Sequence, residues 1–142
     1  MELSIRRAQA IASQTALLQL NTVTERYGLT LKETDIARLN ETRFQALSDS
    51  GRMEFGAGVL PKIVYAFCDS PYLTRDTYVE TLSALTAAFY HFKGEAMERL
   101  SDDELVAAMK DAFDGPCQGS MELLSGTALE NLCGGLRGCE RN

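Results

Sequence analysis

Between Gly56 and Cys68 the chain reads GAGVLPKIVYAFC, and Lys62 is the only charge in it. Val59, Leu60, Ile63, Val64, Tyr65, Ala66, Phe67 and Cys68 place apolar groups on every side of a helical wheel. A helix apolar all round is one that other elements surround. At about a dozen residues it is too short to cross a bilayer, which takes about twenty. The stretch predicts a central helix over about 58–69, with a small domain wrapped around it.

A chain of 142 residues is most simply one domain and buries about 68–70% of its unfolded surface. We expect that domain over 1–133, followed by a Gly-rich flexible tail over 134–142. The net charge of −6 argues against nucleic-acid binding, which rests on a basic footprint that releases counterions from phosphates. The opening MELSIRRAQAIASQTALLQL is broken by Arg6, Arg7, Gln9, Ser13 and Gln14, which predicts neither a secretory core nor a membrane anchor. Cys68, Cys117, Cys133 and Cys139 show no C-x2-C pairing, so we expect reduced thiols in a cytoplasmic protein, with Cys68 filling core.

Residues 4–27 hold no Pro or Gly and end at Gly28, a natural left-handed stop. On that helix Ile5, Ala12, Ala16, Leu20, Val23 and Tyr27 form one stripe, and Ala8, Ile11 and Leu18 a narrower second. Two stripes mean burial on two sides or a face offered to a partner. Bundle helices are often flanked twice, which favours burial.

Thr30-Leu-Lys-Glu33 fits a capping box opening a helix to about Ser48, with Ile36, Leu39, Phe44, Ala46 and Leu47 on one side. Asn40 and Arg43 fall inside that apolar arc and must find partners there. Pro71 stops the central helix. After Thr74, read as an N-cap, the residues Tyr78, Leu82, Leu85, Phe89 and Phe92 recur at helical spacing. Gly94 ends or kinks that helix. Ser101-Asp-Asp-Glu104 is a second capping box, before a helix with Leu105, Met109, Ala112 and Phe113. A last helix from about Ser120 carries Met121, Leu124, Ala128, Leu129 and Leu132. No strand pattern or repeat is present. The fold class is all-α, a compact bundle of about six helices.

Patterns that carry chemistry fail one by one. His91 with Glu95 supplies two metal ligands on one helix face, but a single histidine leaves too few donors. Cys68 sits at a helix C-terminus, where the dipole opposes a thiolate. Gly56-Ala57-Gly58 with Lys62 lacks the remaining positions of a phosphate-binding loop. Asp111 to Glu122 has the length of a calcium loop and the wrong residues inside it. No metal ligand set, cofactor motif or catalytic motif remains.

The polar residues left over are Asn40, Arg43, Arg52, Glu54, Asp69, Tyr72, Arg75 and Asp76. Of these, Asn40, Arg43, Asp69, Tyr72, Arg75 and Asp76 are the candidate binding residues. Arg43 or Arg75 is expected to pair with Asp69 or Asp76, with Tyr72 at the edge. A structural clamp outweighs a ligand site, because ion-pair networks are often structural.

The segments LLQLNTVTERYGLTL (17–31), GVLPKIVYAFCDSPYL (58–73) and LSDDELVAAMKDAFDG (100–115) resemble an uncharacterised family of small bacterial proteins. That family is a domain of unknown function associated with anaerobic Gram-positive bacteria. The resemblance covers most of the chain except the Gly-rich end. It implies a cytoplasmic helical protein and assigns no catalytic residue.

The expected function is a non-enzymatic helical interaction domain, either self-associating or docked to another protein through Ala8, Ile11 and Leu18. Neither nucleic acid nor membrane is expected as a partner. The alternative is a small-molecule site or minor enzyme near Arg43, Asp69 and Tyr72. A helix-turn-helix comes third, because Thr30–Ser48 mixes Lys32, Arg38 and Arg43 with Glu33, Asp35 and Glu41.

Overall fold

The computed structural model describes residues 2–54, 56–95 and 99–132, and the side chains among them except those of 2–6 and 95. All regular structure among the described residues is helical: α1 Glu2–Thr24, α2 Glu33–Ser50, α3 Leu60–Phe67, α4 Tyr78–Glu95, α5 Asp102–Asp114 and α6 from Met121. Helix α6 passes through a π-helical turn at Leu124–Ala128 and regains α geometry to residue 132. The tail expected over 134–142 and the thiols of Cys133 and Cys139 lie outside the described residues. No described helix is long and apolar enough to cross a membrane.

The stripe Tyr78–Leu82–Leu85–Phe89–Phe92 is buried throughout, and Thr86, Ala88, Tyr90 and Lys93 of α4 are buried with it. Helix α4 therefore meets neighbours on several sides, namely α2, α3, α5 and α6. It shares the middle of the bundle with α3, whose Leu60, Ile63, Val64 and Phe67 are core. Helix α3 packs on α1, α4 and α5 but keeps Tyr65 and Lys62 in water. Its enclosure is thus three-sided: tyrosine and lysine carry polar tips that an outer face satisfies without loss.

The N-terminus of α2 lies two residues beyond Thr30. Lys32 is the cap residue, and its main-chain N–H donates to Asp35 Oδ2 at 2.9 Å. Asn21 explains the shift, because its side chain accepts from Leu31 N and donates to Leu31 O, both at 2.9 Å. That clasp holds the α1–α2 loop extended past Thr30. The second box forms where it was expected: Ser101 Oγ accepts from Glu104 N at 3.1 Å, and Glu104 accepts from Ser101 N at 2.9 Å. Thr74 precedes a short 3-10 turn, Arg75–Thr77, so α4 proper begins one turn later than predicted.

Helix α1 is rotated relative to its expected apolar stripe. Its buried line is Ser13, Leu17 and Thr24, while Tyr27 is exposed and Ala12, Ala16, Leu20 and Val23 are half-buried. Counting hydrophobics misplaces this face because small hydroxyl residues, which pack closely, sit on its centre line.

Candidate functional site

Arg43 lies on the inner arc of α2 and is fully buried, at 0% exposure. An unpaired guanidinium there would be costly. Its partner comes from the connector after α2: Arg43 Nε donates to Glu54 Oε1 at 2.7 Å. The Tyr90 hydroxyl of α4 donates to the same oxygen at 2.6 Å. Arg43 Nη2 donates to the Gly56 carbonyl at 3.1 Å, and the guanidinium stands 5.6 Å from the centre of the Phe44 ring. From α1, the Gln9 side-chain amide donates to the Glu54 main-chain carbonyl. One ion pair thus ties α1, α2, α4 and the connector together.

The connector must come very close to make this pair. Gly58 has φ of 67°, in the left-handed region that favours glycine. A Cβ there would collide with Glu54 Oε1 and Arg43 Nη2. Burial, followed by the Glu54 hydrogen bond and charge, pushes the Tyr90 phenol far above its ordinary pKa, so it stays a donor. Arg43 Nη1, Glu54 Oε2 and Asn40 Oδ1 are buried and have no hydrogen-bond partner among the described residues. Chemically the cluster is a low-dielectric clamp whose charges are closed off from water.

The other candidate residues lie elsewhere. Arg43 pairs with Glu54, so its expected pairing with Asp69 or Asp76 is not formed. Asp69 is held at 2.8 Å by Lys110 of α5, which also reaches Asp114 at 2.8 Å. Ser70 Oγ donates to Asp114 Oδ1 at 2.6 Å and accepts from Tyr72 N at 3.2 Å. The Tyr72 ring meets Phe113 edge-on at 6.3 Å. Asp69 and Tyr72 therefore fasten the turn after α3 onto α5. The Lys110 hydrogen bond holds Asp69 below the usual carboxylate range. Lys110 itself is raised: burial works against its charge, and the bonds to Asp114 and Asp69 outweigh it. Arg75 donates to the Gly28 carbonyl at 3.4 Å. It lines, with Asp76, Lys32, Arg38 and the buried Tyr78, a charged depression of about 380 Å³. The predicted six thus divide among three places.

Ala8, Ile11 and Leu18 point outward from α1. Ile11 is 57% and Leu18 37% exposed, and Ala8 is exposed too. The second stripe is therefore left exposed among the described residues. Beside it, between α1 and α2, runs a groove of about 350 Å³ whose lining includes Ala10, Ala37, Phe44 and Asn40, with Glu33 and Glu41 at the rim.

Tyr90, Lys110, Ser70 and Asp114 were missed by sequence reasoning. Tyr90 lies off the main apolar stripe of α4 and reads as one more aromatic. Glu54 was visible as a polar neighbour of the central helix. The usable signal was that a buried arginine requires an acid, and Glu54 is the acid in the connector leading out of α2. Cys68 and Cys117 are free and buried, and burial first of all raises both thiols above their ordinary pKa. No group of three or more His, Cys, Asp or Glu among the described residues is arranged to hold a metal ion.

A family model described as a family of unknown function, DUF6323, matches residues 16–141. No curated protein matches the chain, and no solved structure does.

Proposed function

The chain belongs to DUF6323, a family of unknown function, and we propose that it is a cytoplasmic, non-enzymatic interaction domain that docks a protein surface on the outer face of α1. The observation that carries this reading is the exposure of Ile11 and Leu18 at helical spacing, on a helix whose opposite face is core. Exposed apolar residues aligned along one helix face present a ready contact line for another helix. Further support comes from the polar residues, since Arg43, Glu54, Asp69 and Lys110 already have partners within the fold. The net charge of −6 supports a protein rather than a nucleic acid as partner.

The test is Leu18→Glu, alone and with Ile11→Glu, in protein purified from its own host and weighed by native mass spectrometry. We expect the parent to travel above its monomer mass, and the variants to run as monomers with an unchanged circular dichroism spectrum. A parent and variants with identical mass distributions would overturn the reading. Ligand binding centred on Arg43, Asp69 and Tyr72 has less support, because Arg43 faces Glu54 whereas Asp69 and Tyr72 face α5.

A further inference from the structure

Arg7, Ile11, Gln14 and Leu18 follow one another at spacings of four, three and four, so they share a single seam along α1. Gln14 belongs both to this seam and to the wall of the groove between α1 and α2, so seam and groove form one continuous surface. Asn40, 7% exposed, lines that groove with an unpartnered Oδ1. At one end of the seam stands Arg7, exposed and without an ion-pair partner among the described residues. At the other end the Asn21–Leu31 clasp brings the start of α2 alongside α1. The first residue of α2 is Glu33, also exposed and also unpaired among the described residues.

This distribution of charge is self-complementary. Two such seams laid parallel would set Arg7 against Arg7. Laid antiparallel about the point midway between Ile11 and Leu18, they set Ile11 against the other copy's Leu18 twice. The same operation carries each Arg7 to the far end of the opposite seam, where Glu33 stands. A two-fold contact repeats every favourable pair, and opposite charges at its ends fix the register. Resting on the reading of α1 as a docking face, we propose that its occupant is a second copy of this chain, packed antiparallel through Ile11 and Leu18, with Arg7 of each copy paired to the other copy's Glu33.

A three-turn seam is at the small end of specific interfaces, so association is expected on the order of tens of micromolar. The experiment is sedimentation equilibrium of the full chain, with Arg7→Glu, Glu33→Arg and the double swap. Both sites are exposed, and thermal melts verify that the folds are unaltered. We expect each single variant to weaken dimerisation about tenfold or more, and the double swap to recover most of it. A dimer that the swap fails to rescue overturns the Arg7–Glu33 register and leaves the docking face standing. A parent that stays monomeric at millimolar concentration while Leu18→Glu still abolishes a heavier host complex overturns self-association alone. A dimer indifferent to Leu18→Glu overturns both.

Discussion

Two of the polar clamps in this bundle have ion pairs of nearly the same length and differ sharply in their exposure to water. Arg43–Glu54–Tyr90 is sealed between α1, α2 and α4, with Arg43 at 0% exposure. Asp69–Lys110–Asp114–Ser70 fastens the turn after α3 to α5, and the Asp69 side chain is 56% exposed. The ion-pair distances are nearly equal, 2.7 Å and 2.8 Å. Geometry therefore does not rank them, and dielectric does. In the wet clamp water replaces any partner that is removed. In the sealed one a lost partner leaves a bare charge.

The largest effect should follow Glu54→Ala, which strands Arg43. Urea titration should show a loss of about 3–5 kcal/mol, and Arg43→Ala should cost a similar amount. Arg43→Met combined with Glu54→Leu should recover much of the loss, because apolar replacement of a buried pair is often neutral. If Glu54→Ala costs no more than a surface substitution, the sealed clamp is not a clamp. Gly58→Ala should come next, at about 2–3 kcal/mol, from left-handed strain plus collision with Glu54 and Arg43. Its unfolding midpoint should fall more than that of an alanine placed at Gly94, where a Cβ meets nothing.

The two clamps were unequally legible. The arc Ile36–Leu39–Leu47 marks Arg43 as inward from the sequence alone, because helical period fixes which face a residue takes. Its partner was not legible, since Glu54 sits in a connector without period and Gly58 had to bend for the two to meet. The wet clamp was read as a clamp but given the wrong cation. Lys110 is far from Asp69 in sequence, and only the packing of α3 on α5 brings them together. The same limit explains α1. Period located two apolar stripes, whereas the buried line fell beyond the first of them, on Ser13, Leu17 and Thr24, where close packing decided.

A smaller difference separates the clamps at high pH. Burial, before any nearby charge, raises Tyr78 to about 12 and also raises Tyr90. A phenol whose folded pKa is raised contributes stability in full below the unfolded value near 10 and loses it as pH rises through the folded value. Stability should therefore fall from about pH 10 upward, by about 1.4 kcal/mol per unit for each tyrosine. Tyr90→Phe should cost about 1–2 kcal/mol at pH 7 and flatten that alkaline slope. An unchanged slope would mean the phenol is not sealed.

The smallest effect should come from Lys110→Ala. Surface ion pairs contribute about 0–1 kcal/mol because water and salt screen them and ordering long side chains opposes them. Lys110 serves two carboxylates, which favours the upper end of that range. Asp69 is the group to follow, since its folded pKa lies below its unfolded value. Such a carboxylate contributes stability above its unfolded pKa and loses it as pH falls through its folded one. The parent should thus weaken between about pH 5 and 3 relative to Lys110→Ala, and the gap between them should close in 1 M salt. The same salt should leave Glu54→Ala as damaging as before, because screening reaches only the pair that water already touches.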